Sequence, residues 1–252
     1  FTDDGGASWQ EKTGIPTSDW LECIFFRDSD HGWIAGQQGT ILSTTDAGAS
    51  WLIQATPTEQ DLSGIHFTDS QHGWAIGNGI DVIATDDGGS TWSIIATLSN
   101  NVYLDIFFTD QLTGWICGKY GVILSTNNGG YTWKPQVSGT IEDLESIVFT
   151  GPKDGWVAGS NGTVLSTNNG GNDWVTEPGI TNLHLESIAC SGTGDRWNAG
   201  ENGTILFSGG LIGDLADKNE KSNTELICCP NPFNERTDLI FEAPRAEWVR
   251  LR

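Results

Sequence analysis

The chain has 252 residues, and its 33 acidic side chains outnumber the 12 basic ones to leave a formal charge of −21. That balance argues against nucleic acid as a partner, since neutralising phosphates takes clustered Lys and Arg. No apolar run reaches the roughly 18 residues a membrane-spanning helix needs, and the length suits a β-rich domain with a sizeable core.

Glycine is abundant at 33, tryptophan unusually so at 12, and methionine is absent. With neither an initiator Met nor a signal peptide, the sequence reads as a mature product or a fragment. Five cysteines, two of them adjacent (Cys228 and Cys229), define no disulfide framework.

Trp33, Trp74, Trp115, Trp156 and Trp197 recur at steps of 41 residues, and Trp9, Trp51, Trp92, Trp133 and Trp174 at steps of 42, 41, 41 and 41. Nine residues before each member of the first set stands an isoleucine (Ile24, Ile65, Ile106, Ile147, Ile188). Two residues further on come Phe26, Phe67, Phe108, Phe149 and, in the last copy, Cys190. Three residues after each Trp stands Gly36, Gly77, Gly118, Gly159 or Gly200.

Within one unit, in chain order, the first expected strand is Leu21 to Phe26, apolar on both alternating faces as a strand between two neighbours should be. Gly32 to Gly36 is the second. A tight turn follows, typified by Asn161-Gly162 and Asn202-Gly203, where both positions tolerate positive φ. Thr40 to Thr44 is the third strand, and a glycine-rich turn leads into the fourth at the second Trp. Four strands in about 40 residues is the signature of a β-propeller blade, so the expected fold class is all-β, a propeller over residues 1–210.

The turn before the second Trp resembles the Asp-box, or BNR repeat, Ser/Thr-x-Asp-x-Gly-x-Ser/Thr-Trp. It reads Thr2 to Trp9 with Asp4, Thr44 to Trp51 with Asp46, and Thr85 to Trp92 with Asp87; Asn128 and Asn169 take the Asp position in the next two copies. Asp and Asn accept hydrogen bonds from backbone N–H groups of their own turn, so these five are expected to be structural rather than a row of catalytic or calcium-binding groups. The repeat text, as in "GWIAGQQGTILSTTDAGASW", resembles the photosystem II assembly and stability factors, and that resemblance implies rings of seven blades.

Five first strands and five second-column strands are present but offset. Two arrangements follow: a five-bladed ring in which Trp9 to Lys12 completes the last blade, or an arc of a larger ring. Both stay open at this level.

From Leu211 the period stops. Residues 211–226 read as a polar linker. Residues 227–252 contain Pro230-Asn231-Pro232-Phe233-Asn234, Thr237, an apolar strand, Pro244 and the start of a second strand. This resembles the beginning of a type IX secretion sorting domain, cut short. The resemblance implies the type IX machinery as a partner, and a secreted or outer-cell-surface location. Half of the basic residues fall after the repeats, so the propeller face is acidic.

Asp-box propellers include sialidases and xyloglucanases, but only Arg27 and Arg196 lie within the repeats, too few for a triarginine carboxylate clamp. Gly77-x-Gly79 and Gly192-x-Gly194 lack a third glycine, and no Gly-x-Ser-x-Gly occurs. His31 and His72 read as turn residues, and Cys23, Cys117 and Cys190 as core. No catalytic residue, cofactor or metal is expected. Glu22, Glu145 and Glu186 share one register and are expected to line the central channel as solvated groups.

Variable loops at 14–20, 55–61, 96–102, 136–143 and 177–184 precede the inner strands, and binding residues tend to sit on such loops. Trp20 is the first anchor candidate, followed by Tyr103 and His184. The functional expectation is a non-enzymatic scaffold that binds a protein or other macromolecule. The alternative is a glycan-binding or glycoside-hydrolase propeller with its catalytic blades missing.

Overall fold

The computed structural model describes residues 2, 8–79, 81–99, 101–179, 181–191, 195–208, 240–242 and 248–250. Alternating apolar residues punctuated by Gly-rich turns produce five antiparallel blades arranged as a propeller. Blade one holds β1 (Leu21–Phe26), β2 (Gly32–Gly36), β3 (Ile41–Thr44) and β4 (Leu52–Gln54). Blade two holds β5 (Leu62–Phe67), β6 (Gly73–Gly77), β7 (Asp81–Thr85) and β8 (Ser93–Thr97). Blade three holds β9 (Tyr103–Phe108), β10 (Gly114–Gly118), β11 (Ile123–Thr126) and β12 (Lys134–Gln136). Blade four holds β13 (Leu144–Phe149), β14 (Gly155–Gly159), β15 (Val164–Thr167) and β16 (Val175–Thr176). Blade five, among the described residues, holds β17 (Leu185–Cys190), β18 (Arg196–Gly200) and β19 (Thr204–Ser208). A separate antiparallel pair, β20 (Ile240–Glu242) with β21 (Trp248–Arg250), lies in the tail. Asp4, the linker at 211–226 and the tail segment 227–239 lie outside the described residues. No helix among the described residues is long and apolar enough to cross a membrane.

The two tryptophan columns join neighbouring blades. Trp33, Trp74 and Trp115 stack on Phe67, Phe108 and Phe149 of the next blade, with ring centroids 3.6, 3.8 and 3.6 Å apart. Each of these phenylalanines meets the second-column Trp of its own blade edge-on: Phe67 on Trp92, Phe108 on Trp133 and Phe149 on Trp174. The indole Nε1–H of Trp33, Trp74 and Trp115 donates to a glycine carbonyl in the next blade's Asp-box turn, Gly88, Gly129 and Gly170 respectively, at 3.3, 2.9 and 3.1 Å. One side chain thereby buries a ring and ties two repeats through a satisfied polar group. Glycine before Trp33, Trp74, Trp115 and Trp156 is what admits the phenylalanine, since a Cβ on Gly155 would lie 2.4 Å from the Phe149 ring.

Blade five breaks this unit and repairs it. Cys190 stands where the phenylalanine belongs, and its strand partner is Arg196 in place of glycine. The Arg196 guanidinium lies over Trp156, 5.4 Å from the ring centroid, and pairs in bidentate fashion with Glu177 at 2.9 and 2.5 Å. A cation on the aromatic face replaces the missing ring.

The closed five-bladed ring considered from sequence is not what the described residues form. Residues 9–12 form no strand, and the fifth sheet holds three strands. Ile65, Ile106, Ile147 and Ile188 are 1–6% exposed, whereas Ile24, their counterpart in blade one, is 62% exposed. The isoleucine column packs on the preceding blade, as Ile65 does beside Trp33 and Ala35. Ile24 therefore faces away from blade two, on a side that is not covered at its position.

Candidate functional site

The Asp-box turns are built as the residue types demand. Asp46 accepts from the Ser50 N–H at 2.8 Å, the Ser50 hydroxyl at 2.6 Å and the Thr44 hydroxyl at 2.7 Å. These bonds, Ser50 foremost, hold its carboxyl down at about 2. Asp87 repeats the pattern with Thr91 and Thr85. Asn128 keeps the acceptor bonds and reverses the other, its Nδ2 donating to the Thr132 hydroxyl at 2.9 Å. A hydroxyl serves either partner, which is why Asp and Asn both occur. In the next copy Asp173 takes the hydroxyl's place and receives the Asn169 Nδ2–H at 2.9 Å, so only the amide fits. Asn169→Asp sets two carboxylates against each other and is accordingly expected to lower the thermal midpoint. Asn128→Asp is expected to be near neutral. Equal effects of the two substitutions in a melting series would show that Asp173 is not the cause.

Each Asp-box turn hooks onto the turn between the first two strands of its blade, as in Gly88 N–H to Gln71 O and Gly129 N–H to Leu112 O. His31 and His72 lie in that turn, bonded at 2.9 Å to Asp28 and Asp69, whose carboxylates also accept the histidines' own N–H groups. Their role as turn residues is explained by these bonds.

The other end of the propeller carries the variable loops. There the turn between strands two and three interleaves with the loop that precedes the next inner strand. Gln38 N–H donates to Asp61 at 3.1 Å, Tyr120 N–H to Asp143 at 3.0 Å, and the Ser160 hydroxyl meets His184 Nδ1 at 3.1 Å. Gln38, Tyr120, Asn161 and Asn202 all sit at positive φ, between 54° and 59°. Asn suits that region; for Tyr120 it costs about 1 kcal/mol or more. Tyr120 is 74% exposed, and the loop its N–H bonds to at Asp143 carries Val137 at 84% and Ile141 at 83%. Such a backbone places an aromatic ring in solvent, on the same end as two exposed aliphatics.

Of the three anchor residues expected from sequence, Trp20 is on this face and 75% exposed, its carbonyl accepting from Gln37 N–H. His184 is there too, half-buried. Tyr103 is a correction: it is 1% exposed, in the column of Leu21, Leu62, Leu144 and Leu185, with its hydroxyl bonded to the Ser99 carbonyl at 3.0 Å. It opens the inner strand instead of closing the loop, so its ring enters the core. Sequence reading missed Tyr120, although it aligns with the Asn of the Asn-Gly turns, where a bulky aromatic is out of place.

Inner strands β1, β5, β9, β13 and β17 each carry a register shift near their start. The residue skipped is Glu22, Ser63, Leu104, Glu145 or Glu186, and a bulge of this kind re-aims a side chain out of the ladder. Glu145 and Glu186 thereby converge on one imidazole: His184 Nε2 lies 3.3 Å from a Glu145 oxygen and 3.4 Å from a Glu186 oxygen. Burial raises the Glu145 carboxyl; His184 opposes this, and the Glu186 charge adds to it. The expectation of solvated groups fits exposed Glu22 and Glu186 but not Glu145, whose side chain is 16% exposed.

Further inward, Asp105 accepts from Ile106 N–H, the Ser146 hydroxyl and Ile147 N–H at 2.8–3.0 Å, and burial raises its carboxyl to about 6. It ties blade three to blade four. His66 is held between the Phe25 and Phe107 rings, and burial lowers it to about 3, so it is neutral. Burial pushes the Cys23 thiol up to about 12 and raises that of Cys117 well above the ordinary thiol value, consistent with inert core residues.

Repeating blades, Asp-box turns and a loop-bearing face together define an Asp-box β-propeller. A model of the family "Photosynthesis system II assembly factor YCF48" matches residues 92–181. A solved structure of YCF48 bound to a D1 peptide is similar with a TM-score of 0.62 and 21% identity, over 77% of this chain and 64% of that one. YCF48 from Cyanidioschyzon merolae is similar with a TM-score of 0.63 and 16% identity, over 80% and 73%. An ancestral GH74 enzyme is similar with a TM-score of 0.59 and 16% identity, over 74% of this chain but 29% of that one. No curated protein matches significantly. The chain thus spans about two thirds of the first of these structures, and the likeness at these identities is one of fold.

Proposed function

We propose that this chain is a non-enzymatic scaffold that captures an extended segment of another protein on its loop face. The observation that carries the reading is the exposed set Trp20, Tyr120, Val137 and Ile141, held on rigid blades. Exposed aromatic anchors on a preformed surface favour binding because little order is lost when they are covered. Asp19 adjoins Trp20 in the chain, Glu142 and Asp143 follow Ile141, and Lys119 precedes Tyr120, while Glu186 and Glu201 lie by His184 on the same end of the propeller. The partner segment is therefore apolar with basic flanks. A YCF48 propeller of similar fold holds a peptide, which makes peptide capture a natural use of this architecture.

The tail resemblance extends the proposal: residues 227–252 address the protein to the type IX machinery, and it works outside the cell or on its surface. Removal of residues 227–252 should then abolish export from a host that carries that system.

The binding reading is tested with an array of extended peptides of varied charge. Basic-apolar peptides should bind, and Trp20→Ala and Tyr120→Ala should each weaken capture about tenfold or more with the fold intact. Capture insensitive to both substitutions would overturn it. The glycan-active alternative predicts turnover of a glycoside panel, lost on Glu145→Gln.

A further inference from the structure

We infer that Glu145, His184 and Glu186 form a zinc-binding site at the mouth of the propeller channel, between blades four and five. The three ligands come from two inner strands and the loop before the second. Their ligand atoms lie within 4.8 Å of one another. The two measured separations from His184 Nε2, 3.3 and 3.4 Å, are long for charge-assisted hydrogen bonds. They equal the edge of a tetrahedron with metal–ligand bonds of roughly 2.0–2.1 Å, which is about 3.3–3.4 Å.

The support around the imidazole fits as well. His184 Nδ1 is 3.1 Å from the Ser160 hydroxyl, which can accept its proton and leave the Nε2 lone pair facing the carboxylates. Glu145 is fixed, with its side chain 16% exposed, while that of Glu186 is 66% exposed and free to close the third edge. Two carboxylates share this corner with Asp143 close by, and Lys119 is the cation that acts on Glu145. A divalent ion balances that charge directly. The imidazole together with two carboxylates favours zinc over calcium or magnesium, which take oxygen ligands. The fourth position is open to water or to a partner's side chain.

The test is calorimetric titration of the chelator-treated protein with zinc chloride, repeated with calcium and manganese. One equivalent of zinc should bind, and cobalt(II) should give the intense visible band of a tetrahedral site. Glu145→Gln and His184→Ala should abolish both signals, and Ser160→Ala should weaken zinc binding about tenfold. His72→Ala, which removes a surface His–Asp pair, should change nothing. Far-ultraviolet circular dichroism establishes that each variant folds. Absence of zinc binding at millimolar metal, preference for calcium, or binding that survives both ligand substitutions would overturn the inference. None of these readouts depends on the peptide-capture proposal.

Discussion

Replacing Trp115 by alanine is expected to cost about 3–5 kcal/mol of unfolding free energy, the range for deleting a large aromatic from a packed core. The indole is 1% exposed, stacks at 3.6 Å on Phe149 and donates to the Gly170 carbonyl. Its removal empties the seam between blades three and four and leaves the Phe149 ring with its edge contact to Trp174 and its tilted contact to Phe107. Urea denaturation should show the midpoint falling steeply. Trp20→Ala, at a site 75% exposed, should shift stability by no more than about 0.5 kcal/mol. Similar costs for both substitutions would mean that the 41-residue column is not what joins the blades.

The second large effect is expected at Arg196. It is 9% exposed, and the Glu177 side chain it pairs with is 27% exposed. Arg196→Ala strands that carboxylate and uncovers the Trp156 face. Fully buried pairs lose about 3–5 kcal/mol when one member is removed, and partial exposure of Glu177 reduces this to about 2–3 kcal/mol. Cys190→Phe alone should also destabilise, because the guanidinium occupies the space the ring needs. The double variant Cys190→Phe with Arg196→Gly recreates the pairing of the other four blades. It should be more stable than the two single effects added, with a coupling of about 1–3 kcal/mol. Strict additivity in a denaturation cycle would refute the view that arginine substitutes for the ring.

Much of the architecture was legible because each blade restates the same interactions. Trp33, Trp74 and Trp115 each find a phenylalanine and a glycine carbonyl in the following repeat. The spacing of one residue type therefore records a contact between units. The Asp-box residues were legible for a similar reason, as their bonds stay within four residues of chain. The binding face was less so. Tyr103 was expected on it and is core, because one position decides whether a side chain ends a loop or begins a buried strand. Tyr120 was passed over because its exposure depends on the αL turn and on the loop of blade four packed against it.

The amino-acid sequence by itself determined the four-strand unit, its turns and the hydrophobic seams between units, since all of these are set by alternation, glycine placement and a fixed repeat length. Only the tertiary structure decided that Ile24 stays exposed, that Arg196 reaches Trp156, and that His184 meets Glu145 and Glu186. Those outcomes depend on which blade stands beside which, and on bulges that turn a side chain out of its ladder. Neither leaves a period in the chain, because each is a contact between a residue and a neighbour chosen by assembly.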